Sequence, residues 1–262
     1  MDLKDKFPFR LSAPSYIVPG DIATNVAYLS RKVDDIELII FESDEICPLP
    51  DVETIASLRQ IALDNDLTFT IHLPLDIWLG DPNEAERNKS VGKCLRVVER
   101  MRPLVPLGFV LHCNRKLKDS STQVDDTCWQ KNVEKSIGEL LLSGIPSNMI
   151  CIETLDYPFT LIEPILHEKE LGVCLDIGHI LFNDFPLDDY LHRYSDETRI
   201  IHLHGVKEGK DHCALSSIER KYLSLLFKRL SEIDRHETVV TVEVFDSLAF
   251  ETSLSVMEEF KP

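Results

Sequence analysis

Residues 149–182 read MICIETLDYPFTLIEPILHEKELGVCLDIGHILF. Two short β-rich runs, MICIETL (149–155) and GVCLDIG (172–178), bracket a longer segment, and each carries an acid near its C-terminal end, Glu153 and Asp176. The alternation of short apolar runs with longer amphipathic ones continues along the chain in both directions. Further strand candidates lie at 9–17 (FRLSAPSYI), 35–43 (DIELIIFES), 67–74 (LTFTIHLP), 108–114 (GFVLHCN), 199–206 (RIIHLHGV) and 238–245 (TVVTVEVF). Between them, 53–63 places Ile55, Leu58, Ile61 and Ala62 at a helical period, 133–142 does the same, and 247–260 reads as a last helix. Asp21 and Pro50-Asp51 have the chemistry of helix starts.

Eight strands, each followed by a helix, is the count of a closed parallel (β/α)₈ barrel. Such a barrel takes about 250 residues, so one α/β barrel domain over residues 1–262 uses the whole chain. An open doubly wound sheet is the alternative; it has fewer strands, and no GxGxxG turn follows any strand here. No Ser/Gly-rich linker divides the sequence. The longest irregular segments, 76–84, 115–126 and 205–216, all follow strands, which puts them at the C-terminal mouth, where barrel active sites are built.

The composition is 44% hydrophobic, with 10 Gly and 14 Pro, which excludes a disordered or collagen-like chain. With 28 Lys+Arg against 45 Asp+Glu, the formal charge is −17. Such a surface repels phosphate backbones and anionic membranes, so neither nucleic acid nor membrane is an expected partner. No apolar run reaches the roughly 18 residues of a span, and the polar start MDLKDKFPFRL is unlike a signal peptide. The 7 cysteines include no CxxC pair, and Cys151 and Cys174 sit in apolar runs. A reducing cytoplasm is the expected compartment.

Of 9 histidines, His167, His192 and His236 fall in helical runs. The other six, His72, His112, His179, His202, His204 and His212, fall at strand ends or in the loops just beyond. Glu42, Glu153, Asp176 and Glu243 join them at the ends of strands two, five, six and eight. The last three are embedded in apolar runs (ICIETL, VCLDIG, VTVEVF) that contain no Lys or Arg. An uncompensated buried carboxylate costs several kcal/mol; a divalent metal with His and carboxylate ligands is the economical compensation. Parity agrees, because residues two apart share a face of a strand, as His202 and His204 do. Taken singly, each histidine reads as a hydrogen-bonded mouth residue more readily than as a ligand. Their conjunction across the strands is what that blander reading explains badly. The surplus over the four to six ligands of one metal implies two or three metals.

At this point the chain resembles the xylose isomerase-like barrels, which include the type IV endonucleases for abasic sites. That pattern has histidines ending strands three and four, a glutamate ending strand five, D-x-x-H on strand six, a histidine on strand seven, D-x-H in the next loop and a glutamate on strand eight. The corresponding residues here are His72, His112, Glu153, Asp176 with His179, His202, Asp211 with His212, and Glu243. The loop motif lacks its spacer, so a third metal site is either reshaped or lost. The phrases FRLSAPSYIVPGDI, VDDIELIIFES, IHLPLDIWLG, ETLDYP, LDIGHILF, HLHGVKEGKDH and VEVF are further similar to the cobamide-remodelling phosphodiesterases. That similarity implies cleavage of the phosphoester joining the lower-ligand riboside to the cobinamide part of a B12-type cofactor.

The expected function is therefore metal-dependent hydrolysis of a small-molecule phosphodiester, a cobamide, with two or three Zn²⁺ per chain, or Mn²⁺ or Fe²⁺ in their place. Glu153 is the expected catalytic residue, bridging two metals and orienting the attacking water; His179, Asp211 and His212 would hold the third metal. Tyr16, Glu42, Asp76, Trp78, His204 and Lys207 are candidate substrate contacts, with Lys210 beside them, while Tyr157 reads as loop packing. One rival is a single-metal sugar isomerase or epimerase using Glu153, Asp176, His202 and Glu243, whose two glutamates would shuttle a proton. The others are an abasic-site endonuclease, weakened by the acidity, and a non-catalytic metal- or cofactor-binding barrel with fully ligated ions.

Overall fold

The computed structural model describes residues 2–40, 49–115, 125–232 and 238–262. In chain order its elements are β1 (Arg10–Pro14), α1 (Ile22–Leu29), β2 (Asp35–Ile39), α2 (Val52–Asn65), β3 (Thr68–His72), α3 (Glu84–Met101), β4 (Phe109–Leu111), α4 (Asp126–Leu141), β5 (Ile150–Glu153) and α5 (Glu163–Glu168). They continue with β6 (Gly172–Asp176), α6 (Ile177–Phe182), α7 (Leu187–Arg193), β7 (Thr198–Leu203), β8 (Gly205–Lys207), β9 (Lys210–Cys213), α8 (Arg220–Glu232), β10 (Val239–Val242) and α9 (Ser247–Glu258). Eight parallel strands close in the order β1-β10-β7-β6-β5-β4-β3-β2, the single (β/α)₈ barrel expected.

Helix starts follow the sequence chemistry. Asp21 accepts from the Thr24 N–H at 2.8 Å and Asp51 from the Thr54 N–H at 2.7 Å, each capping a free amide of a first turn. Asp125 and Asp246 do the same for α4 and α9. Among the described residues no helix is long and apolar enough to cross a membrane.

One expectation differs. Segment 205–216, read as an irregular loop, contains the antiparallel hairpin β8–β9. Its two turn residues, Glu208 (φ 53°) and Gly209 (φ 73°), both lie in the left-handed region that a two-residue hairpin turn requires. Only three residues pair on its first strand, too few for the period-two pattern to show in sequence.

The helices cover the outside of the barrel and bury Leu, Ile, Val and Phe between sheet and helix layers. The barrel interior is separate and layered. Midway lies a small apolar plug of Val110, Cys151, Cys174, Ile200 and Val239. Facing the inside of β1–β3 is a polar cluster in which Asp35 accepts from Ser12, Thr68 and Thr70 hydroxyls at 2.8–2.9 Å. Two residues further along the plug strands come His112, Glu153, Asp176, His202 and Thr241. Period-two alternation thus carries apolar contact at one level and ligand chemistry at the next.

Burial raises the Asp35 carboxyl to about 6, against the three hydroxyl hydrogen bonds. A carboxyl raised on folding stabilises the fold below its unfolded pKa and loses that stabilisation as pH climbs through the folded value. Urea unfolding of the protein should therefore weaken, relative to Asp35→Asn, by on the order of 3 kcal/mol between pH 4 and pH 7. A pH-independent difference would refute the assignment.

Candidate metal centre

Most of the functional side chains sit at the C-terminal end of a barrel strand or one residue past it, on the inward parity; His179 on α6 and His212 on β9 are the exceptions. His72 ends β3, Glu153 ends β5 and Asp176 ends β6. His112, His204 and Glu243 lie one residue past β4, β7 and β10. His202 is the last inward residue of β7. His179 comes from the first turn of α6, which Asp176 caps by accepting the His179 N–H at 2.7 Å.

Glu153, 1% exposed, is the hub. Its Oε2 lies 2.7 Å from His112 Nε2 and 3.3 Å from His72 Nε2. Its Oε1 lies 3.3 Å from His179 Nδ1 and 3.7 Å from His202 Nδ1. One carboxylate thus turns an oxygen to each of two groups. His72 Nδ1–H donates to the Leu73 carbonyl at 2.8 Å, which leaves Nε2 as the nitrogen aimed at Glu153.

The second group centres on His202. Its Nδ1 is buried without a hydrogen-bond partner, as is Glu243 Oε2, 3.4 Å away. Asp176 Oδ2 stands 3.8 Å from the same nitrogen. A third group gathers His179, His204 and His212. His204 Nε2 lies 3.1 Å from Asp176 Oδ1, and the His212 backbone N–H donates to His204 Nδ1 at 2.9 Å. Gly178 makes room for this ring, because a Cβ there would overlap it.

Burial and mutual charge set the protonation. For Glu153 burial pushes the carboxyl up, but His112 and His202 outweigh it and hold it well below the usual range. Asp176 is likewise depressed, burial being overcome by His204 and His179. Glu243 goes the other way: burial, with Asp176 and Glu153 nearby, lifts it to about 7. Burial opposes charge on His179, yet Asp176 and Glu153 raise it to about 10. His212 falls to about 4 through burial and the neighbouring His204.

The donor set fits divalent cations. His72, His112 and Glu153, and likewise Glu37, His202 and Glu243, bring imidazole nitrogens and carboxylate oxygens within 4.8 Å of one another, while His179, His204 and His212 do so with imidazoles alone; such sets match ordinary N/O ligation. Among the described residues whose buried polar atoms lack a hydrogen-bond partner, His202 Nδ1 and Glu243 Oε2 face each other, and a cation between them satisfies both.

The family profile described as xylose isomerase-like TIM barrel matches residues 30–259. This chain belongs to that family. No curated protein matches it by sequence. Among solved structures, this xylose isomerase-like barrel resembles a D-tagatose 3-epimerase-like protein, with 18% identity, a TM-score of 0.77 and coverage of 96% of this chain and 97% of that one. Endonuclease IV from Thermus thermophilus aligns at 16% identity and a TM-score of 0.70, covering 95% of this chain and 99% of its own. The IOLI protein, solved with a binding zinc atom, aligns at 13% identity and a TM-score of 0.70, covering 96% and 98%. At these identities the likeness is one of fold.

The barrel therefore gathers His72, His112, Glu153, Asp176, His179, His202, His212 and Glu243 at one mouth. Two assignments shift. His204, expected among substrate contacts, stands in the third group, and Asp211, expected there, points its carboxylate outward at 46% exposure, 3.8 Å from His212. The expected substrate contacts also lie elsewhere. A cavity of about 230 Å³ over the site is walled by Ile39, Leu75 and Phe245 besides the site residues, and none of Tyr16, Asp76, Trp78 or Lys207 lines it. Asp76 pairs with Lys93 of α3, and the Trp78 backbone is tied to Ser90 of the same helix at 2.8 Å. Lys207 is exposed on the hairpin. Tyr157 is buried against Trp129, as expected of packing. Glu42, His236 and most of 115–126 lie outside the described residues.

Sequence reading missed Glu37. It is fully buried on β2, with Oε2 2.8 Å from His202 Nε2. The signal was available: an acid inside the apolar run IELII, on the parity of Asp35.

Two measurements check this geometry. Gly178→Ala should cost about 1–3 kcal/mol in urea unfolding and displace the His204 ring in a crystal structure; an unmoved ring would refute the close approach. Zinc added to metal-free protein at pH 7.5 should release at least about one proton per chain, because a ligand imidazole must lose its proton. Calorimetry in two buffers of different ionisation heat reads this; zero release would exclude His179 as a ligand.

Proposed function

We propose that this protein is a divalent-metal-dependent phosphodiesterase that hydrolyses the phosphoester in the nucleotide loop of a cobamide. One observation carries the reading: the mouth holds several overlapping groups of potential ligands, from His72, His112 and Glu153 on one side to His179, His204 and His212 on the other, more than a single cation can use. Zn²⁺ suits the histidine-rich donors, with Mn²⁺ or Fe²⁺ as substitutes. His72, His112 and Glu153 would hold one cation, and Glu153, Asp176, His202 and Glu243 a second. His179, His204 and His212 would hold a third. Such cations supply Lewis acidity to phosphoryl oxygens and lower the pKa of attacking water.

The chain's own residues do the rest. Glu153 is held ionised at neutral pH, so it can accept a hydrogen bond from the attacking water and fix its line of approach. Water oxygen bonds to phosphorus, the bond to the ester oxygen breaks, and the water's proton ends on the departing alkoxide. Ile39, Leu75 and Phe245 form an apolar wall for the non-reacting body of the substrate and keep bulk water from the site. No Lys or Arg stands among the described residues lining the cavity. With a net charge of −17, that favours a compact substrate bearing one phosphodiester over a nucleic acid strand.

A second reading has its own support. Glu153 sits well below and Glu243 near 7, and carboxylates whose environments separate them in this way suit proton shuttling beside a carbonyl, as in a sugar epimerase.

The purified protein with Zn²⁺ or Mn²⁺ should release the lower-ligand riboside from a cobamide, chelation by EDTA should stop it, and Glu153→Gln should lower turnover by about 10²–10⁴-fold. Intact cobamides, together with interconversion of ketose sugars and one tight metal per chain by elemental analysis, would establish the epimerase instead.

A further inference from the structure

Glu37 and His202 meet across the barrel from β2 and β7, and neither is accessible to solvent. Glu37 Oε2 lies 2.8 Å from His202 Nε2, and the Thr241 hydroxyl donates to the same oxygen at 3.4 Å. A carboxylate oxygen facing an imidazole nitrogen accepts from its N–H, so this contact assigns a proton to Nε2. In the neutral form that a metal ligand must take, the ring then presents the lone pair of Nδ1 on its other side. That nitrogen has no hydrogen-bond partner and faces three acids: Glu243 at 3.4 Å, Glu153 at 3.7 Å and Asp176 at 3.8 Å. Lone pairs aimed at one another in a dry interior are unfavourable unless a cation lies between them.

We propose that Glu37 is a positioning residue for the second cation. It fixes the tautomer and orientation of His202 and raises the basicity of Nδ1, without itself being a ligand. This rests on the metal reading of the mouth, but not on the identity of the substrate. A carboxylate behind a ligating imidazole is worth about 10–100-fold in metal affinity. The barrel supplies this partner from another wall: β2 and β7 are not neighbours in the sheet, yet Glu37 and His202 meet in the interior. Thr241 on β10 donates to the same oxygen from the strand adjacent to β7, while Glu37 Oε1 is buried without a hydrogen-bond partner.

The test is zinc binding to metal-free protein, titrated against a chromophoric chelator, with Co²⁺ as spectroscopic probe. Glu37→Gln keeps an acceptor but loses the charge, and should weaken one equivalent by about 10-fold; Glu37→Ala should weaken it by about 100-fold. The remaining equivalents should be unchanged, and only one component of the Co²⁺ absorption should shift. At saturating zinc both variants should recover the wild-type stoichiometry. Unchanged affinity in Glu37→Gln overturns the proposal, as does equal weakening of every equivalent, which a merely structural role would give. An equivalent missing even at saturation overturns it too, by making Glu37 a ligand. If Glu37→Ala does not fold, Glu37→Gln decides alone. Failure of cobamide cleavage leaves this titration untouched, so the two claims fail separately.

Discussion

The desolvation of Glu153 is the constraint on which the site turns. A carboxylate 1% exposed inside a barrel must be neutralised locally, and imidazoles approach it from four directions to do so. Its two oxygens divide these partners into separate groups, and the remaining acids arrange themselves around the second. Without cations, the imidazolium of His179 and the raised carboxyl of Glu243 absorb the imbalance. The protonation pattern thus follows from burying several acids and imidazoles in one small volume.

The architecture explains why such a costly volume can exist. The strands lock one another through a closed hydrogen-bond ladder, and the helices bury a continuous outer core, so stability does not depend on the interior being apolar throughout. Cys151, Cys174 and their three aliphatic neighbours seal the floor beneath the acids. The polar cluster around Asp35 is satisfied by hydroxyls alone and needs no ion. The two polar regions of one interior therefore solve the same desolvation problem by different chemistry.

The fold was legible because strand-helix alternation is a local property, written in short apolar runs and amphipathic spacers. Most of the site was legible for a related reason: an acid inside an apolar run contradicts its surroundings, and Glu153, Asp176 and Glu243 each did so. Glu37 carries the same contradiction, but in the sequence it sits in the middle of the candidate strand 35–43, where Glu42 near the end is the more conspicuous acid. His204 and Asp211 exchanged places because their roles depend on a hairpin whose strands are too short to show periodicity. The cavity walls were invisible for a different reason. Leu75 and Phe245 become walls only when loops after β3 and β10 converge, a tertiary event with no sequence pattern.

The hairpin itself has a wider meaning. Its ladder is separate from that of the barrel, and its second strand delivers His212 at a φ of 50°, a conformation that a regular strand would not tolerate. The third imidazole of the outer group is therefore contributed by an appendage, whereas the inner ligands are fixed by barrel register. Lengthening, shortening or re-facing that ribbon would alter how many ions the opening accommodates while leaving the eight-stranded frame intact. Under the metal reading proposed above, nuclearity would be an editable property of a surface ribbon, with the scaffold unchanged.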